Sequence, residues 1–185
     1  LNFSSHVKKI DDNKVKIKTE KKWNDWFLVL DDIGATEMNH KDIANYLNQN
    51  QGVSPWWTQT ITVTYERERG LREMYQRSDG SYYITVSKII NKPLTLVYSY
   101  WIDEKLRNRW LSEKNTTMSI QNSTQNKYLK IIWYDKDKST VVSVNFFDKG
   151  KDKTQVMIEH TKLDKNRIEE MKLYWKTCLS KLNQI

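Results

Sequence analysis

A chain of 185 residues with eight tryptophans and ten tyrosines is long enough to bury a substantial core and too aromatic for a disordered segment. Its mean hydropathy of −0.80, with no apolar run near the roughly 18 residues that a spanning helix needs, argues against membrane insertion. The net charge of +8 admits an anionic partner, but lysine supplies most of it, whereas phosphate and base forks favour arginine, so nucleic acid is not the expected partner.

Residues 1–18 read as a flexible basic leader, in which Val15 and Ile17 alternate weakly among Lys8, Lys9, Lys14, Lys16 and Lys18. From Thr19, a candidate N-cap, Trp23, Trp26, Phe27 and Leu30 are helically spaced up to Gly34. Asn39 opens a second helix with Ile43, Ala44 and Leu47 on one face, and Gly52 closes it. Ser54-Pro55 starts a third, with a capping hydroxyl followed by proline at the first helical position. Two periods compete there. Thr60 to Tyr65 alternates like a β-branched strand, yet Trp57, Ile61 and Tyr65 step by four, and a helix over about 55–69 is expected. These helices make an N-terminal unit over 19–78.

Asp79-Gly80 is a turn signal that opens a second domain over 79–185. A strand over 81–90 runs to Pro93, and Leu94, Val97, Tyr98 and Trp101 then read as a helix. Asp103 caps a short helix ending near Trp110 and Leu111. Four more strands are expected at 117–123, 128–134, 140–147 and 154–163, with hairpin-length polar connections, hence an antiparallel meander. The chain closes on a long helix. Ile168, Met171, Trp175, Leu179 and Leu182 form its apolar stripe, Asp164 or Asn166 caps it, and Glu169 completes a capping box with Asn166. The fold class is α+β: an antiparallel sheet gripping a carboxy-terminal helix, behind a unit of short helices.

The run from Ser81 to Leu111, with Lys92-Pro93, Asp103-Glu104 and Arg109-Trp110-Leu111, resembles the start of the SRPBCC superfamily, on the branch of Hsp90 ATPase activator homologues. Residues 129–133, 142–150, 155–163 and 175–182 are similar to the end of that branch. Upstream, Trp23-Asn-Asp-Trp26-Phe27, Gly34-Ala35, His40-Lys41-Asp42-Ile43-Ala44, Ser54-Pro55-Trp56-Trp57 and Tyr65-Glu66-Arg67-Glu68-Arg69-Gly70 resemble a helical module of unknown function that precedes this fold in some bacterial proteins. The resemblance spans about residues 20–183 and implies a START-like helix-grip fold. Typical members carry more strands than the five counted here. Their activities range over lipid carriers, hydroxylase subunits, cyclases and chaperone activators, so the fold does not select one.

No catalytic signature stands out. His6, His40 and His160 are scattered without metal-ligand spacing, Cys178 is alone, and no GxSxG motif or glycine-rich phosphate loop occurs. No cofactor or metal is expected, and the reading leans away from an enzyme. His40 is expected at the surface or capping a helix. With one cysteine and no secretory pattern from Leu1 onward, the expected compartment is the cytoplasm. The aromatic residues carry the most information. Tyr98, Trp101, Trp110, Trp133, His160, Met171 and Trp175 come from different elements that a helix-grip fold brings together, and are the candidate ligand-binding residues. The first expectation is therefore non-catalytic binding of a small hydrophobic or amphipathic molecule between the last helix and the sheet. The alternatives are an Hsp90-activator-like domain meeting a chaperone or other acidic protein, and a cyclase or hydrolase on the same fold. Trp56-Trp57 stands apart, because neighbours on a helix point about 100° apart and cannot both face one core.

Overall fold

The structure, a computed structural model, describes residues 10–111, 116–135 and 138–185. Its contacts divide the chain into two units, Leu1–Ser78 and Asp79–Ile185.

The first unit holds α1 (Asp12–Thr19), α2 (Trp23–Asp32), α3 (His40–Gln49) and α4 (Pro55–Glu68). Its core is Trp23, Trp26, Phe27, Leu30, Ile43, Leu47, Ile61 and Tyr65, together with Val15 of α1. That last residue corrects the reading of a flexible leader as far as residues 12–18 are concerned; residues 1–9, with Lys8, Lys9 and His6, lie outside the described residues. Thr19 likewise ends α1 instead of capping α2. Its hydroxyl donates to the Val15 carbonyl (2.8 Å) and accepts the Trp26 indole N–H (2.8 Å). The cap of α2 is Lys22, whose backbone N–H is taken by Asp25 (3.0 Å). Asn39 caps α3 as expected, accepting from the Asp42 N–H at 3.0 Å. Ser54 occupies the N-cap of α4 but its side chain makes no capping bond. The β-branched stretch of α4 stays helical because its threonine hydroxyls bond back one turn: Thr60 to the Trp56 carbonyl, Thr62 to Thr58 and Thr64 to Thr60, at 2.7–2.9 Å. Burial of Ile61 and Tyr65 then outweighs the weak propensity.

The second unit runs β1 (Tyr82–Ile90), α5 (Leu94–Ile102), α6 (Glu104–Arg107), β2 (Thr116–Thr124), β3 (Tyr128–Asp135), β4 (Lys138–Asp148), β5 (Thr154–Leu163) and α7 (Ile168–Gln184). The five strands form one antiparallel sheet in the order β1-β5-β4-β3-β2. Residues 136–137, part of the polar connection expected between β3 and β4, lie outside the described residues.

Register decides what faces α7. Ile84 pairs with His160, which pairs with Val142, which pairs with Ile131, so all four share a face. The next row on that face is Val86, Ile158, Val144 and Leu129. Both rows are buried, as are Ile168, Met171, Trp175, Cys178, Leu179 and Leu182 of α7. Near the end of β5 an extra residue opposes Tyr83, and Lys162 takes a left-handed φ of 61° there. This bulge lets the buried Leu163 follow the exposed Lys162 into the turn toward α7. Lys88 Nζ on Ser180 Oγ (3.2 Å) and the Asn91 N–H on Asn183 Oδ1 (2.7 Å) tie the far end of α7 to β1. The helix start differs from the expected capping box. A 3-10 turn over Lys165–Arg167 precedes α7, Asp164 holds Lys138 (2.6 Å), and Glu169 holds Lys172 (2.6 Å).

Candidate functional site

Five of the seven candidate residues meet at the helix–sheet junction, and they meet by packing against one another. Trp101 of α5 stacks on Trp175 of α7 at 6.1 Å between ring centroids with planes 22° apart, and Trp110 meets Trp101 edge-on at 4.7 Å. Trp133 of β3 lies 5.3 Å from Trp175, and Trp133 and Trp175 each lie close to the His160 ring (6.2 and 6.1 Å). Tyr98, half-buried, stands edge-on to Phe146 at 5.5 Å. Trp101, Trp110 and Trp175 are fully buried. Offset and edge-to-face rings fill the volume that a large apolar ligand would occupy. Tyr98, Trp101, Trp110 and Trp175 accordingly line neither of the two cavities described below.

His160 is held as a neutral imidazole by a chain of hydrogen bonds. The indole N–H of Trp175 can only donate, and it points to His160 Nδ1 at 3.1 Å. Nδ1 therefore carries no proton, Nε2 does, and Nε2–H donates to Thr140 Oγ1 at 2.7 Å. The Thr140 hydroxyl continues to the Trp133 carbonyl at 3.3 Å. Sequence reasoning places His160 at a ligand; the structure makes it a polar brace between β5, β4 and α7. Beside it, a recess of about 50 Å³ is lined by Trp133, Thr140, His160, Arg167 and Met171, room for ordered water but for little else.

The larger opening lies at one end of the aromatic cluster. A cleft of about 230 Å³ is lined by Glu104, Arg107 and Asn108 from α6 and its end, Leu111, Thr117 and Met118 of β2, Trp133 of β3 and Tyr174 of α7. Asp103 shapes it by capping α6, accepting the Leu106 N–H at 3.0 Å. Arg107 Nη1 bonds the Trp101 and Ile102 carbonyls (2.9 and 3.3 Å), which fixes the guanidinium against the end of α5. Its Nε and Nη2, and the Glu104 carboxylate, have no partner among the described residues. Apolar patches from Leu111, Met118, Trp133 and Tyr174, in a lining that is polar for the greater part, suit a small amphipathic molecule with a polar head. Of the candidates read from sequence, Trp133 alone lines this cleft. Glu104 is an acid that the sequence could place in a cavity, whereas Arg107 escaped notice because α6 is a single turn, too short to show a periodic face.

A second charged cluster in the first unit also eluded sequence reasoning. His40 lies between Glu66 Oε1 (3.0 Å), Gln59 Oε1 (2.8 Å) and Arg72 Nη2 (3.0 Å), while Arg72 Nε holds Glu66 Oε2 at 2.6 Å. The hydrogen bond to Glu66 raises the His40 pKa above its ordinary 6.5, against partial burial. Close by, Asp31 receives the Tyr65 hydroxyl (2.9 Å) and Arg69 Nε (2.9 Å). The bond from Arg69 holds the Asp31 carboxyl below its usual range, and burial followed by the bond to Asp31 pushes the Tyr65 hydroxyl up to about 12. These pairs brace α2, α3 and α4. The alternating charges at Glu66, Arg67, Glu68 and Arg69 were their only trace in sequence.

Among the described residues no three potential metal ligands cluster, and no helix is long and apolar enough to cross a membrane. Residues 113–185 match the family model described as "Activator of Hsp90 ATPase homolog 1-like protein". Among solved structures, the crystal structure of CalU16 from Micromonospora echinospora is similar at 21% identity and TM-score 0.50, over 56% of this chain and 73% of that one. Its solution structure gives 20% identity and TM-score 0.51, over 59% and 68%. Protein MLL2253 from Mesorhizobium loti is 15% identical with TM-score 0.50, over 55% of this chain and 94% of that one. At these identities the likeness speaks to fold. No curated protein matches the chain.

Proposed function

We propose that this protein, whose residues 113–185 match the model of the Hsp90 ATPase activator homologues, binds a small amphipathic molecule without transforming it, in the cleft bounded by α6, β2, β3 and α7. The single observation that carries this reading is the pairing, in one cleft of about 230 Å³, of apolar side chains with the Glu104 carboxylate and with Arg107 Nε and Nη2, none of which has a partner among the described residues. The apolar patches come from Leu111, Met118, Trp133 and Tyr174. Pockets for drug-sized ligands start near 300 Å³, so the ligand is smaller than those. A carboxylate or amide head would take N–H bonds from Arg107, and a short apolar body would lie against Trp133.

The test is ligand-detected NMR with a set of small aryl and short-chain carboxylic acids and their amides. Saturable binding that disappears in Arg107→Ala and Met118→Trp, with both variants still folded, supports the cleft. Binding that survives both variants, or no binding at all, overturns it. The match to the family of Hsp90 ATPase activator homologues supports a second reading, in which the unit stimulates the ATPase of an Hsp90-type chaperone. Through the basic surface such an association would weaken with salt. An Hsp90 ATPase rate unchanged by excess protein at low salt contradicts that reading.

A further inference from the structure

The first unit carries a groove of its own, remote in sequence from the cleft and larger. It encloses about 640 Å³ and is lined by Ile10, Asp11, Lys14, Ile17 and Lys18, with Trp56 and Trp57 from the start of α4. Three features distinguish it from an ordinary surface hollow. α1 is anchored by Val15 and Thr19, both buried, while Lys14, Ile17 and Lys18, spaced as i, i+3 and i+4, share one exposed face. Ile17 is 77% exposed and Trp56 61% exposed, so folding leaves two large apolar side chains of this groove in water. Trp57, by contrast, packs against the core of the unit and meets Trp56 edge-on at 4.8 Å, which makes the pair a fixed wall.

The groove holds two cations, Lys14 and Lys18, and one anion, Asp11, for a net positive charge. The Asp11 carboxylate is engaged in capping α1, accepting the Asn13 N–H at 2.9 Å. Lys14 and Lys18 have no carboxylate partner among the described residues. Two ammonium groups one helical turn apart, beside an indole wall and isoleucine, complement an anion with an apolar tail. A volume inside the range of single small-ligand sites fits one such molecule rather than an extended surface. We infer that this groove binds a single-chain anionic amphiphile, its carboxylate set between Lys14 and Lys18 and its chain laid along Ile10, Ile17, Trp56 and Trp57.

The experiment titrates the full chain with sodium decanoate below its micellar concentration, followed by calorimetry. Decyltrimethylammonium serves as the control of equal chain length and opposite charge. Saturable binding of one decanoate is expected, about tenfold weaker for each lysine neutralised in Lys14→Gln and Lys18→Gln, and lost in Trp56→Ala. Those side chains are exposed or line a surface groove, and circular dichroism checks that the variants stay folded. Arg107→Ala, at the carboxy-terminal cleft, leaves this binding unchanged, so the two sites fail or succeed separately. Equal binding of the cationic amphiphile, full binding by Lys14→Gln/Lys18→Gln, loss in Arg107→Ala, or no binding below the micellar concentration each overturns the inference.

Discussion

Replacing Trp175 by phenylalanine tests whether the helix–sheet junction is held by a polar brace as well as by ring packing. The substitution removes about three buried ring atoms, worth roughly 2 kcal/mol at about 0.8 kcal/mol per buried carbon. It also strips His160 Nδ1 of its donor in a fully enclosed site, where an orphaned acceptor costs about 1–3 kcal/mol. Trp175→Phe is therefore expected to destabilise the second unit by about 3–5 kcal/mol. His160→Leu removes the orphan, so Trp175→Phe/His160→Leu should cost about 1–3 kcal/mol less than the sum of the single variants. Hydrogen exchange of the β4 and β5 amides reads the stability of this unit apart from the other. Strict additivity within about 0.5 kcal/mol would show that the 3.1 Å contact contributes nothing and would refute the brace.

Nitrogen-15 spectra of His160 should show Nε2 protonated and Nδ1 bare; the opposite tautomer contradicts the chain from Trp175 to Thr140. In the first unit, the folded pKa of His40 lies above its unfolded value of 6.5 because of Glu66. The associated stability is fully present below 6.5 and is lost as pH rises through the folded pKa. Glu66→Gln should abolish the upward shift in an NMR titration, and an unchanged titration would discredit the assignment. Gly34 sits at φ +69° with open space where a Cβ would be, so Gly34→Ala carries conformational strain alone. A loss of about 1–2 kcal/mol is expected, and a stabilised variant would contradict the left-handed cap.

How far the sequence sufficed depends on which interaction governs each element. The stripe Ile168, Met171, Trp175, Leu179 and Leu182 announces α7 because burial is periodic there, and the alternation of Ile84 and Val86 announces β1 for the same reason. α1 shows no such pattern. Val15 and Ile17 fall on different sides, one buried and one exposed, so its docking through Val15 and the Thr19–Trp26 bond has no periodic signal. α4 was contested between two periods until the tertiary burial of Ile61 and Tyr65 decided it. Periodicity likewise says that Trp101, Trp133 and Trp175 face inward, but not whether facing rings leave a gap or close it. That depends on side-chain volume and rotamers across four elements. The cleft is bordered by residues that follow a cap and a single helical turn, where local patterns carry little.

We propose ligand space at the Glu104–Arg107 end of the fold and not among the stacked indoles. Fluorine NMR of 5-fluorotryptophan-labelled protein, assigned by single Trp→Phe variants and titrated with an acid selected by the NMR screen, addresses it directly. The Trp133 resonance is expected to shift with saturation, while those of Trp101 and Trp175 hold their positions. Large shifts at Trp101 and Trp175 with Trp133 unmoved would place the ligand under α7 and rule out the cleft.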